Sequence, residues 1–117
     1  MWSGSLLMTS AHTAELSQLI SEQKNGIILV FSQFTDNAVD NSSFHHRMIH
    51  KNWVAMHSGH AECIQLSTSD LNIFATKYLY IHDDKIVGHD NNSKSRTGAS
   101  GITYSNGRFI LRYVIGF

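Results

Sequence analysis

Residues 26–39, GIILVFSQFTDNAV, decide the fold of this chain, because their first half can be interpreted in two ways. Residues 27–31 are apolar throughout and rich in β-branched side chains, which is typical of a buried strand. The same stretch also fits a short buried helix, with an apolar face made of Ile27, Val30, Phe31 and Phe34. So short a run contains too few turns for periodicity to choose, and both interpretations stay open on local grounds.

Helical patterns flank this stretch. In residues 13–26, Leu16, Leu19 and Ile20 recur at the spacing of one helix face, and Gly26 is a natural C-cap. Residues 43–56 also predict an amphipathic helix, with a serine at its start as N-cap. The apolar stripe of this second helix contains Phe44, Met48, Ile49 and Trp53.

The second half of the chain changes its period from helical to alternating. Residues 62–92 alternate apolar and polar side chains, with turn signals at Ser69–Asp70 and Asp83–Asp84, which is typical of strands. Asn106–Gly107 is the dipeptide of a two-residue hairpin turn, in which both residues take positive φ. Residues 108–117 are apolar on both faces apart from two arginines, which predicts a central strand or one that faces a dimer partner.

Helices followed by a meander of antiparallel strands predict the α+β class, with N-terminal helices packed on one face of a curved antiparallel β-sheet. Residues 90–100, DNNSKSRTGAS, are predicted to form a polar loop or an irregular edge strand. Residues 1–12 are predicted to be a poorly ordered leader, in which Met8 is a second candidate start. Residues 13–117 then form a single domain.

The order of these elements and three phrases resemble the nuclear transport factor 2-like superfamily, which includes SnoaL-like polyketide cyclases and ketosteroid isomerase. Residues 24–39, KNGIILVFSQFTDNAV, are similar to the second-helix phrase of that family, and residues 69–86, SDLNIFATKYLYIHDDKI, to its central strand pair. Residues 101–117, GITYSNGRFILRYVIGF, are similar to its terminal hairpin. The resemblance implies a cone-like α+β barrel over residues 13–117, in which residues 27–31 are helical.

The resemblance also implies a function. Members of this superfamily enclose an apolar pocket between helices and sheet, so we expect a small apolar organic ligand and an isomerase-, dehydratase- or hydrolase-like activity. By carry-over, Asp40 lies near the family's proton-shuttling base, and Tyr78 and Tyr104 are strand residues that can supply a hydroxyl partner. The ligand-binding residues expected around them are Phe34, Trp53, Tyr80 and His46.

Two other functions stay open. Asp40 also fits a turn or cap position, and the domain is then a non-catalytic binding or assembly module that forms a homodimer through its sheet. His46 and His50 lie four residues apart, a spacing that can chelate a metal with Glu62 as a third ligand. The solvated face of a helix explains the same histidines without a metal, so we assign neither a metal nor a cofactor.

Composition excludes several classes of partner. Nine basic and nine acidic residues cancel, and the basic ones are scattered, so no footprint for nucleic acid or for an anionic membrane is visible. The single cysteine, Cys63, excludes an internal disulfide and favours a reducing compartment, which makes the cytoplasm the expected location. No apolar stretch reaches the length that a bilayer requires.

Overall fold

The computed structural model describes the backbone of all 117 residues and every side chain except that of Ala99. Strands account for 52% of it, and its one α-helix, α1, is Lys51–His57. Single turns of 3₁₀ helix lie at Ile20–Glu22, Asp90–Ser93, Ala99–Gly101 and Asn106–Arg108. The strands are β1 (Trp2–Leu6), β2 (Thr13–Glu15), β3 (Gly26–Thr35), β4 (Ala38–Val39), β5 (His45–His50), β6 (His60–Ser67), β7 (Ile73–Ile81), β8 (Lys85–Val87), β9 (Ser95–Thr97), β10 (Thr103–Ser105) and β11 (Phe109–Gly116).

This architecture corrects the predicted fold class. The α+β fold with N-terminal helices packed on a curved sheet is wrong, because the described chain forms two curled sheets and a single helix of seven residues. The cone-like barrel implied by the resemblance to the nuclear transport factor 2-like superfamily is wrong for the same reason. No layer of helices covers either sheet in the part of the chain that the structure describes.

The first sheet, which we call sheet A, has β11 and β3 at its centre. Its strand order is β1-β11-β3, and both β4 and β5 also pair with β3, all of them antiparallel. In β3, Ile27, Leu29 and Phe31 are fully buried in the core, as the alternation of a strand requires. Local β-propensity is therefore the correct guide to residues 27–31, and the helix implied by the resemblance is wrong. The central position of β11 agrees with its two apolar faces.

The second sheet, sheet B, is built around β7. Its strand order is β2-β8-β7-β10-β9, and β6 also pairs with β7 along their shared length. Most of the pairs are antiparallel, whereas β10 runs parallel to β7. Ala75, Lys77 and Leu79 of β7 are fully buried, so the intervening residues Thr76 and Tyr78 face outward.

One hydrophobic core lies between the two sheets and includes the N-terminal segment. Residues 1–12, the predicted leader, contribute β1, which pairs with β11, and Met8, which is fully buried. The core also contains Ile27, Leu29, Phe31, Ile49, Phe109, Leu111 and Val114 of sheet A, and Ala14, Ile64, Leu66, Ala75, Leu79, Ile81 and Ile86 of sheet B.

The two predicted amphipathic helices are also wrong. Residues 13–26 form β2, which pairs with β8, followed by a 3₁₀ turn. Residues 43–56 form β5, which pairs with β3, and only then α1, whose N-cap His50 accepts a hydrogen bond from the amide of Asn52. In both segments the long-range pairing of strands outweighs the local helical period. The described helices all lack the length and hydropathy needed to cross a membrane.

Asn106–Gly107 does not form the predicted hairpin. The dipeptide lies in a 3₁₀ turn, and the positive-φ residues of the described chain include neither of its members. The strands that it joins belong to different sheets, β10 to sheet B and β11 to sheet A. The turn therefore connects sheet B to sheet A instead of joining two neighbouring strands of one sheet.

The outer face of sheet A exposes apolar side chains. Met48 is 56% exposed, Ile115 is 45% exposed and Tyr113 is 38% exposed. Met48 and Ile115 flank the same residue of β3, Ile28, in the strand register. This face is where the expected homodimer through the sheet would form, and that dimer stays a prediction.

Candidate ligand-binding site

A gap in the strand pairing of sheet B creates the candidate site. On one edge of β7, β8 pairs with Tyr80 and Ile81, and β10 pairs with Ile73 and Phe74. The residues between these two pairings have no strand neighbour on that edge in the described chain. Their backbone groups must find other partners, because unpaired backbone N–H and C=O groups are costly when buried.

Two asparagine side chains close this gap. The amide N–H of Thr76 donates to Oδ1 of Asn106 at 2.8 Å, and that of Tyr78 donates to Oδ1 of Asn92 at 2.7 Å. The Asn92 Nδ2 group donates in turn to the carbonyl of Tyr78 at 2.9 Å. A primary amide offers the same donor and acceptor groups as a peptide unit. The two amides therefore replace the missing strand.

The same asparagines also hold residues 89–96, which we call the rim of the site. Asn92 is fully buried and donates a second hydrogen bond to the carbonyl of Met8 at 2.6 Å. Asn106 donates to the carbonyl of Asn91 at 2.8 Å. His89 caps the 3₁₀ turn, since its Nδ1 accepts a hydrogen bond from the Asn91 amide at 3.1 Å. The rim is thus fixed to β7 and to the N-terminal segment.

We expect the substitution Asn106→Ala to lower the free energy of unfolding by about 1–3 kcal/mol, because it leaves the Thr76 amide without a partner and removes one of the two hydrogen bonds to the Asn91 carbonyl. Urea unfolding measures the loss, and amide hydrogen exchange should show reduced protection at Thr76. The matched control is Asn72→Ala, which changes an exposed asparagine. Unchanged exchange at Thr76 would contradict the assigned hydrogen bond.

The gap opens into a pocket on the outer face of sheet B. Its volume is about 450 Å³, which lies within the range of about 300–1,000 Å³ typical of small-molecule sites. Three of its residues come from β6 and β7, and the others from the rim, which includes the start of β9, from β10 and from the turn after β10. The lining residues are Cys63, Thr76, Tyr78, Asn91, Lys94, Ser95, Arg96, Tyr104 and Asn106.

Aromatic rings form much of the surface in and around the pocket. The ring of Tyr78 lies edge-on to that of Tyr80, with centroids 5.5 Å apart, and to that of His89 at 5.0 Å. The guanidinium of Arg96 lies over the ring of Tyr104, 5.1 Å from its centroid. Such contacts hold ring orientations and contribute about 0.5–1.5 kcal/mol each beyond burial. The pocket therefore presents ordered ring faces together with polar groups.

Lys77 lies on the opposite face of β7, between two residues that line the pocket. Its side chain is fully buried, and its Nζ donates to the carbonyl oxygens of Leu7 and Asn92, each at 3.0 Å. Desolvation by burial lowers the pKa of Lys77 to about 7. A neutral amine has two N–H groups, which match these two acceptors, whereas an ammonium has three. Lys77 and Asn92 together join the N-terminal segment to the rim.

The structure brings together three of the residues predicted from the sequence. Tyr78 and Tyr104 both line the pocket, and Tyr80 is the ring neighbour of Tyr78. They lie on the outer face of a sheet rather than between helices and a sheet. Their predicted roles, catalytic for the first two and ligand-binding for Tyr80, stay predictions.

The other predicted site residues lie elsewhere in the fold. Asp40 follows β4, where its Oδ1 accepts a hydrogen bond from the Ser42 hydroxyl at 2.9 Å. Phe34 is near the end of β3, His46 is exposed on β5, and Trp53 packs from α1 against the core. The predicted set is therefore divided among sheet A, its loops, α1 and the outer face of sheet B.

A smaller pocket of about 270 Å³ contains part of the predicted metal trio. His50 and Glu62 line it together with Trp53. The described residues nevertheless contain no group of three His, Cys, Asp or Glu side chains able to hold a metal ion. The proposed ligands His46, His50 and Glu62 are thus not assembled into a centre.

The sequence did not single out several residues that build the pocket. Asn92 and Asn106 close the gap in the sheet, and Asn91, Lys94 and Arg96 form the rim. All but Asn106 belong to the polar run DNNSKSR of residues 90–96, which fits a simple loop equally well. The available signal was the density of asparagines beside a strongly alternating strand, since their amides can pair with an open strand edge.

Comparisons of the chain with models of protein families, with curated proteins and with solved structures find no match. The function of the pocket therefore has to be inferred from its own chemistry.

Proposed function

We propose that this protein is a non-catalytic binding module that holds a small polar molecule in the pocket on the outer face of sheet B. The observation that carries the proposal is a pocket in which β7 forms a rigid floor and several polar side chains make no hydrogen bond within the described protein. Its floor is hydrogen-bonded through Asn92 and Asn106. The hydroxyls of Tyr78 and Tyr104 and the amide of Asn91 form no side-chain hydrogen bond with another described residue, so they remain available to a ligand.

The composition of the lining supports binding rather than turnover. Among the described side chains it includes neither a carboxylate nor an imidazole, the groups that most often act as general bases. Cys63 contributes an exposed thiol, but the described lining offers it no imidazole or carboxylate that could accept its proton. An exposed unpaired thiol also favours a reducing compartment, so a cytoplasmic location is part of the proposal.

A screen of small polar and aromatic fragments tests this function. We expect binding fragments to shift the backbone amides of Thr76, Tyr78, Asn91 and Arg96 in proton–nitrogen NMR correlation spectra. The substitution Tyr78→Ser should weaken such fragments about tenfold, because loss of one ring contact is worth about 1.4 kcal/mol. Tyr113→Ser, which changes an exposed tyrosine on sheet A, is the matched control and should leave binding unchanged.

The single thiol of the chain provides an independent readout. Cys63 lines the pocket and is exposed, so a bulky maleimide attached to it should block the fragments that shift the pocket amides. Fragments that bind equally well to the labelled protein, or shifts confined to other surfaces, would contradict the assignment of the site.

A further inference from the structure

We infer that the ligand of this pocket is an anion in which a carboxylate is attached to a ring. This inference rests on the proposed function and concerns the chemistry of the occupant. The charge of the lining carries it: Lys94 and Arg96 both line the pocket, and the described lining contains no acidic side chain. A concave surface with two positive charges attracts and retains an anion.

The surroundings of the rim do not cancel this charge. Asp90 is the first residue of the 3₁₀ turn Asp90–Ser93, and its negative charge interacts with that of Lys94. Its carboxylate already accepts a hydrogen bond from the Ser10 hydroxyl. That hydrogen bond, together with the charge of Lys94, lowers the pKa of Asp90. Arg96 is held by an aromatic ring instead of a carboxylate. Asp90 therefore offsets the charge of Lys94 only in part, and it does not belong to the lining of the pocket.

The position of Arg96 suits a carboxylate. Its guanidinium carbon lies 5.1 Å from the centroid of the Tyr104 ring, and the N–H groups of a guanidinium lie in its own plane. Those groups match the two oxygens of a carboxylate, and such charge-assisted hydrogen bonds are about twice as strong as neutral ones. Arg96 also lies on the edge strand β9, where a charged residue discourages association with another sheet. That role would be fulfilled by any exposed charge and does not require a guanidinium that lines a pocket.

The rest of the lining suits a ring. Tyr78 and Tyr104 contribute aromatic rings to the lining, and their hydroxyls and the Asn91 amide add hydrogen-bonding groups. A sugar ring and an aromatic ring both pack against aromatic side chains, so a sugar acid and an aromatic acid share the recognised chemistry. The pocket volume of about 450 Å³ accommodates a ring with its carboxylate.

Two matched pairs of probes test the inference on the full chain. Sodium glucuronate is compared with glucose, and sodium benzoate with benzamide, by following the amides of Thr76, Tyr78 and Arg96 in NMR titrations. We expect the anion of at least one pair to bind at least about tenfold more tightly than its neutral partner, and added salt to reduce that difference. The pair that shows the difference identifies the source of the ring.

Variants separate charge from shape. Arg96→Gln and Lys94→Gln should each weaken the anion about tenfold and leave the neutral partner unchanged, whereas Lys24→Gln, an exposed cation outside the pocket, should change neither.

Neutral and anionic probes that bind equally well overturn the inference and leave the proposed function standing. If none of the probes shifts the pocket amides at millimolar concentration while the fragment screen succeeds, the inference alone is overturned. If the screen also fails, both are overturned.

Discussion

The substitution Asn92→Ala should lower the free energy of unfolding by about 3–5 kcal/mol, because it removes three hydrogen bonds and leaves two buried backbone groups unpaired. The unpaired groups are the amide and the carbonyl of Tyr78, whereas the carbonyl of Met8 keeps its hydrogen bond from the His89 amide. Asn92 is fully buried, so water does not replace the lost amide without a rearrangement of the rim. Since domains of this size are stable by about 5–15 kcal/mol, the loss is a large fraction of the total.

Urea unfolding of Asn92→Ala and of Asn91→Ala provides the measurement and its matched control. Asn91 is the neighbouring residue of the same type, and its side chain is exposed. The control should remain within about 0.5 kcal/mol of the parent. Hydrogen exchange at the Tyr78 amide should accelerate in the Asn92 variant alone. Equal stability of the two variants would show that Asn92 does not replace a strand.

The isosteric substitution Asn92→Asp distinguishes lost hydrogen bonds from lost volume. A carboxylate still accepts from the Tyr78 amide but faces the carbonyls of Tyr78 and Met8, to which the asparagine donates. A protonated carboxyl can donate to one of them. We therefore expect this variant to gain stability relative to the parent as the pH falls, and a pH-independent difference would contradict the donor role.

The second large effect concerns pH. Lys77 has its pKa lowered by burial to about 7 in the folded protein, whereas in the unfolded chain a lysine titrates near about 10.4. Between these values the unfolded state binds more protons than the folded state, so the contribution of Lys77 to stability rises with pH. Below about pH 7 the lysine is protonated in both states, and this contribution stays at its minimum.

We expect the slope of unfolding free energy against pH to contain a Lys77 contribution of up to about 1.4 kcal/mol per pH unit between about pH 7 and about pH 10. Subtracting the curve of the Lys77→Met variant from that of the parent isolates it from other titrating groups. Lys24→Met, which changes an exposed lysine, should reproduce the slope of the parent. Identical slopes for the parent and Lys77→Met would contradict a buried neutral amine.

Both effects arise in the layer directly beneath the candidate pocket. Lys77 donates to the Asn92 carbonyl, and the Asn92 side chain holds β7 at Tyr78, which lines the pocket. A change that loosens this layer should therefore weaken ligand binding as well as stability. Asn106 acts at the neighbouring position, Thr76, in the same way.

Strand alternation is the part of the fold that the sequence predicts well. β7 alternates buried and outward residues along nearly its whole length, as its sequence indicates. Residues 27–31 form a strand, as their local β-propensity indicates, and the central position of β11 follows from its two apolar faces. These features depend on the residues of one segment, so one segment suffices to predict them.

Helical periodicity and turn dipeptides are less reliable guides here. Residues 43–56 contain a helical stripe, yet β5 within them pairs with β3, because the edge of β3 offers more backbone partners than an isolated turn of helix. Asn106–Gly107 is a hairpin dipeptide, yet it lies between two sheets, and the Asn106 side chain pairs with β7 instead of shaping a turn. In both cases a distant segment supplies the deciding contact.

By itself the sequence determined the alternating strands of the second half and the buried strand at residues 27–31, because these follow from local periodicity and side-chain type. Only the tertiary structure decided that β7 has an open edge, that Asn92 and Asn106 close it, and that Lys94 and Arg96 form the rim. The physical reason is that a polar side chain pairs with whatever backbone group the fold leaves unpartnered, and strand pairings far apart in the chain determine which groups those are.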